Sequence, residues 1–178
     1  MNEHEKKLTI TFMGGRQAGA IGLLTLLAAK CEIACVVAYD KVVSDLAHSF
    51  GIPTVESIKT KKFIDALNSS DLLVCVHGRE IVPSSILKMP RLGSINVHPC
   101  LYKYKGADPI GRLLKKKNSM ASVGIHYMTD VIDGGKVIAE NYIRVDGLTT
   151  TEAVYNALYP VYASVLLEVI KRFEKESR

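Results

Sequence analysis

The sequence predicts an α/β fold: a doubly wound, mostly parallel sheet with helices on both faces, built as a single domain over residues 1–178. Three observations lead there. Strand-length runs that are apolar along their whole length recur at residues 8–13, 31–39 and 71–77, the pattern of strands covered on both faces. Segments with apolar residues at helical spacing separate them, as parallel strands require. The length of 178 residues fits one domain, and 48% apolar with 23% charged residues excludes a disordered or collagen-like chain.

The elements follow in order. Residues 8–13 read as a buried strand ended by Gly14 and Gly15, and 20–30 place Ile21, Leu23, Leu24, Leu27 and Ala28 on one helical face. A strand over 31–39 and a helix over 42–50, stopped by Gly51, come next; Pro53 then biases Ile52 into an extended piece over 52–55. A helix over 61–68 precedes the strand at 71–77. A strand over 94–97 is expected to break at Pro99, and a short helix over 109–117 starts with Pro109 in its first turn. Strands over 122–128 and 136–142 flank a turn-rich stretch. The last element is a long helix over about 150–173, opened by a capping box of Thr149 and Glu152 and expected to kink at Pro160.

No apolar run approaches the ~18 residues a membrane span needs, so no transmembrane helix is expected. Residues 1–7 carry no signal-peptide pattern. Cys31, Cys35, Cys75 and Cys100 form no CxxC pair, which points to a reduced, cytoplasmic protein with Cys31 and Cys35 in the core. A net charge of +5 favours anionic ligands without choosing among them.

Three places carry candidate chemistry. The first strand–helix turn holds Gly14, Gly15, Arg16, Gln17 and Gly19, where backbone amides and a helix dipole could meet an anion. Arg16 interrupts a dinucleotide fingerprint, and Ala20 follows Gly19 where a phosphate loop needs Lys, so a tight glycine turn is the competing reading. Asn96 and His98 lie two apart on a strand and point the same way, an amide donor beside a group that moves protons near neutral pH. Asp133, in Asp133-Gly134-Gly135, is common turn chemistry alone, yet beside His98 it would orient the imidazole and favour its protonated form. His126 reads as a core or supporting histidine, and His4 and His48 as surface residues. No histidine has zinc-ligand spacing. Arg112, Lys115, Lys116 and Lys117 form a basic helix end that would complement the helix dipole or steer an anionic substrate.

Taken together, Asn96, His98, Pro99, Leu101, Gly106, Asp133, Gly134 and Gly135 resemble the formyltransferases that use 10-formyltetrahydrofolate, with their Asn-x-His-Pro motif and later Asp-Gly-Gly loop. The resemblance covers nearly the whole chain and implies a Rossmann-like fold and an enzyme transferring a one-carbon group. It implies a catalytic role for Asn96, His98 and Asp133. It implies a folate pocket formed by Val76, His77, Gly78, Arg79, Glu80, Ile81 and Val82 with Thr129, Asp130, Val131, Ile132 and Asp133. It places the acceptor at the first glycine turn. The implied partners are 10-formyltetrahydrofolate and a small anionic amine, best matched by an amino-sugar nucleotide; glycinamide ribonucleotide, methionyl-tRNA, folate hydrolysis and a non-catalytic binding module are the alternatives. With one helix after the last strand, nucleic acid is disfavoured. A homodimer stays open, and no membrane or metal is required. The chain departs from the family at Cys100, at Tyr102 and in a stretch before Gly106 that is one residue short and lacks a proline.

Overall fold

A computed structural model describes residues 7–177; His4 and the rest of residues 1–6 lie outside the described residues. The order is β1 (Thr9–Gly14), α1 (Arg16–Ala28), β2 (Glu32–Ala38), α2 (Lys41–Ser49), β3 (Thr54–Val55), α3 (Lys61–Asn68), β4 (Leu72–Val76), α4 (Ser84–Leu87), β5 (Ser94–Pro99), α5 (Pro109–Lys115), β6 (Met120–Tyr127), β7 (Val137–Arg144) and α6 (Thr151–Glu176). The seven strands form one sheet in the order β3-β2-β1-β4-β5-β6-β7. In the order β3-β2-β1-β4-β5 every neighbouring pair is parallel, while β6 pairs antiparallel with both β5 and β7. The chain winds outward from β1 to β3 on one side and from β4 onward on the other. The β1/β4 junction is therefore the switch point, where doubly wound sheets open a crevice at their carboxyl ends.

The continuous apolar strands are explained by burial on both faces. Leu72, Val74 and Val76 of β4 join the layer that holds Leu23 of α1 and Val165 of α6, whereas Leu73 and Cys75 join the layer under Phe63 and Leu67 of α3. α6 is long and apolar enough to cross a membrane by length and composition. Its apolar stripe, Val154 through Phe173, is buried in the core.

Three local expectations are corrected. α1 starts at Arg16, four residues early, because Gly19 and Gly22 are packing residues inside the helix rather than part of a loop. A Cβ on Gly22 would sit 2.8 Å from Val76 Cγ2, and one on Gly19 3.1 Å from the Gly14 carbonyl carbon. Pro99 does not break β5: it pairs with Val123 of β6, and the left-handed Cys100 (φ 54°) turns the chain instead. The cap of α6 is Thr150, whose hydroxyl accepts from the Ala153 N–H at 3.1 Å, so Thr149 and Glu152 form no capping box. α6 runs through Pro160 as one helix. The short helix α4 carries too few residues to show a period and is absent from the sequence-based expectation.

Candidate active site

A cavity of about 750 Å³ opens at the carboxyl ends of β1, β4 and β5, the crevice the topology calls for. β5 presents Asn96 and His98 into it. Antiparallel pairing with β6 sets His126 directly opposite Asn96. The loop after β6 then folds back, with Asp133 in a left-handed conformation (φ 50°), and lays its carboxylate between the two histidines. Gly135 makes that return feasible, since a Cβ there would lie 1.8 Å from the Tyr127 carbonyl oxygen.

Asp133, only 8% exposed, is the hub. Its Oδ2 accepts from the Gly106 N–H at 2.6 Å and faces His98 Nε2 at 3.0 Å; its Oδ1 meets His126 Nε2 and Asn96 Nδ2, each at 3.3 Å. Burial alone would raise its carboxyl pKa. Hydrogen bonds from His126 and His98, the charge of His98 and the Gly106 amide outweigh that and hold it far below the usual carboxylate range, so it is an anion at any working pH. His98 Nε2 also meets the Gly106 carbonyl at 3.1 Å. Both neighbours of Nε2 accept, so Nε2 carries a proton, and Nδ1 is buried without a partner among the described residues. His126, 2% exposed, donates from Nδ1 to the Tyr127 carbonyl at 2.8 Å. Its Nε2 lies 3.3 Å from Asn96 Nδ2. The neutral ring can accept from Asn96, and the charged ring can serve Asp133.

The cavity walls differ in character. One end is apolar, with Ile81 80%, Val131 67% and Ile132 64% exposed around its mouth. The Ser84 hydroxyl donates to Asp130 and ties the two loops that carry them. Glu80 braces the first of these loops, accepting from Tyr39, Ser57 and the Ile58 N–H. The other end is polar, with Arg16, Arg79 and the phenol of Tyr155. His77 lies beside them in a left-handed conformation (φ 57°), with its Nε2 3.5 Å from the Tyr162 hydroxyl. Burial, then Arg16, His98 and Arg79, lower its pKa to about 4 against the pull of Asp40, so its ring is neutral. Cys75 lines the floor as a thiol, its pKa pushed up to about 12 by burial.

The structure gathers most of the residues singled out by sequence. Asn96, His98 and Asp133 meet. His77, Gly78, Arg79, Glu80, Ile81, Val82, Thr129, Asp130, Val131 and Ile132 line the cavity, but Val76 is fully buried in the core. Of the first turn only Arg16 reaches it. Gly14, Gly15, Gln17 and Gly19 do not line it, and the Arg16 N–H donates at 2.5 Å to Asp40, which also caps α2. Arg112 does not face the cavity as an anion trap: its guanidinium is bonded to the carbonyls of Tyr104, Lys105 and Asp108. Tyr155, Cys75 and Asp108 were missed. Tyr155 had no local signal, being one of several aromatic residues on a long amphipathic helix.

The family model described as formyl transferase matches residues 53–170. Over 138 residues the chain is 32% identical to a methionyl-tRNA formyltransferase of Clostridioides difficile (strain 630), covering 75% of this chain and 45% of that one. The chain thus spans about half the length of the curated relatives it matches. A phosphoribosylglycinamide formyltransferase from Anaplasma phagocytophilum shares the fold with a TM-score of 0.83 at 20% identity, over 96% of this chain and 89% of that one. A formyltetrahydrofolate deformylase from Pseudomonas syringae pv. tomato does so at 0.80 and 21% identity, over 96% and 62%. The family match spans more than half of the chain and encloses Asn96, His98, Gly106 and Asp133, and on that ground this chain belongs to the formyl transferase family.

Proposed function

We propose that the chain transfers the formyl group of 10-formyltetrahydrofolate to the primary amine of a small anionic acceptor, with an amino-sugar nucleotide as the first candidate. The observation that carries this reading is the Asp133 hub, which gathers an amide, two imidazoles and a backbone N–H at the floor of a cavity with one apolar and one cationic end. The apolar end suits a flat pteridine and its aryl group. Arg16 and Arg79 at the other end suit an anion.

In the reaction the amine nitrogen bonds to the formyl carbon, and the carbonyl electrons move onto oxygen. Asn96 and the charged ring of His98 stabilise that oxyanion. Collapse breaks the bond to the folate nitrogen, which leaves with a proton given up by the His98 ring, and the formylated nitrogen then passes its surplus proton back to that ring. Asp133 stays ionised, holds His98 by Nε2 and balances the positive charge on the ring.

The test is to incubate the protein with 10-formyltetrahydrofolate and a panel of amino-sugar nucleotides, glycinamide ribonucleotide and methionyl-tRNA, following products by mass. A formyl increment on an amine supports transfer and names the acceptor. Formate alone would replace it with hydrolysis. Absence of any turnover, with a stable folate analogue still raising the melting point, would reduce the protein to a binding module; a hundredfold excess over Kd stabilises by about 2.7 kcal/mol.

A further inference from the structure

We infer that Arg112 is a positioning residue for the reacting centre, acting on Asp133 through the peptide group between Lys105 and Gly106. This rests on the reading of Asn96, His98 and Asp133 as that centre. Arg112 lies on α5 and its guanidinium turns back over the 100–106 loop. Nη2 donates to the Tyr104 carbonyl at 2.9 Å and to the Lys105 carbonyl at 2.6 Å, while Nε donates to the Asp108 carbonyl at 3.3 Å. The guanidinium carbon also lies 5.8 Å from the centroid of the Tyr104 ring.

The Lys105 carbonyl and the Gly106 N–H belong to one planar amide. Arg112 therefore holds the oxygen of the same peptide whose N–H donates to Asp133 Oδ2 at 2.6 Å. A cation on the carbonyl polarises the amide and strengthens its N–H as a donor, so the two hydrogen bonds reinforce each other. The next carbonyl, of Gly106, meets His98 Nε2. One clamp thus sets the partners of both Asp133 and His98.

No proline stands between Pro99 and Pro109, and Gly106 is left-handed (φ +78°) with open space where a Cβ would be. The leading half of the loop is pinned elsewhere, by the Tyr102 N–H on Glu140 at 2.9 Å and the Tyr102 hydroxyl on the Met120 carbonyl at 2.9 Å. The trailing half, which reaches the site, is held by Arg112. Lys could not replace it fully, because a point charge cannot span three carbonyls as a planar fork does.

The test compares wild type with Arg112→Met, Arg112→Lys and the exposed control Lys171→Met, using NMR and kinetics. In Arg112→Met the Gly106 amide proton should move upfield, because its hydrogen bond to Asp133 Oδ2 is weaker. With any amine that proves a substrate, kcat should fall about 10- to 100-fold while acceptor KM stays within a few-fold. Arg112→Lys should recover part of each change, and Lys171→Met should show none. If Arg112→Met fails to fold, Arg112→Lys decides the matter alone. An unmoved Gly106 signal, or a loss confined to acceptor KM, overturns the assignment. The NMR arms need no turnover, so a wild-type protein inactive on every amine would refute the functional reading and leave this one standing.

Discussion

Asp133→Asn is the perturbation whose size can be worked most directly. The carboxylate takes four donors on two oxygens, the two closest on Oδ2. An asparagine would keep its oxygen toward Gly106 and His98 and turn its NH₂ group on His126 Nε2 and Asn96 Nδ2. Losing charge assistance on the two retained bonds costs about 1 kcal/mol each, and a mismatched donor pair costs about 1–3 more. Burial, which opposes the charged form, returns part of this. A net loss of about 2 kcal/mol lowers the melting point by roughly 4–8 °C in a chain this long. The rate should fall at least ~10²–10³-fold, because the variant neither orients His98 nor balances its charge. pH separates this from a packing defect. A carboxyl whose folded pKa is depressed contributes stability that is fully present above its unfolded value, near 3.8, and is lost as pH falls through its folded value. The melting gap between wild type and variant should therefore be full at pH 7 and shrink below about pH 4. A gap that is constant down to acid, or a folded variant within a few-fold of wild-type rate, would refute the reasoning.

The other expectations are smaller in scope. His98→Ala and Asn96→Ala should each lose ~10²–10³-fold in kcat while a folate analogue still stabilises them, and the His98→Ala, Asp133→Asn double variant should be little worse than either single. His77 titrates at about 4 in the fold and near 6.5 when unfolded, so wild-type stability should rise with pH between those values and be flat above. Urea unfolding at pH 5 and 7.5 should differ by about 2 kcal/mol from this group, and His77→Gln should remove that difference. Cys100→Ser should keep activity, since burial lifts that thiol to about 11 and no cavity atom depends on it. Arg16→Ala should raise acceptor KM and spare that of the folate, an effect that weakens with salt; equal effects on both substrates would move the acceptor elsewhere.

The parallel half of the fold was legible because burial on both faces writes itself as unbroken apolar runs, as at 71–77. The Asn96–His98 pair was legible because side chains alternate along a strand. What escaped depends on pairing across the chain. That β6 runs antiparallel and brings His126 opposite Asn96 is a matter of register, which no local pattern encodes. The first turn misled for a related reason: glycine looks the same whether it frees an amide for a ligand or lets a helix lie close, and only the 2.8 Å approach of Val76 decides for Gly22. Arg112 read as surface charge because its partners are carbonyls, and every residue has one.

Four side chains at the cavity, Arg16, His77, Asp108 and Asp133, stand on left-handed backbone, where glycine is at ease and other residues forgo about 1–2 kcal/mol each. A directed-evolution campaign scored on heat tolerance alone would be rewarded for glycine at Arg16, but not at Asp108 or Asp133, whose carboxylates hold the Gly111 and Gly106 amides. It would enrich hardy proteins with a crevice stripped of that cation. Libraries built on this scaffold should hold those four residues fixed and seek robustness far from the mouth, for instance on the outer faces of α2 and α3.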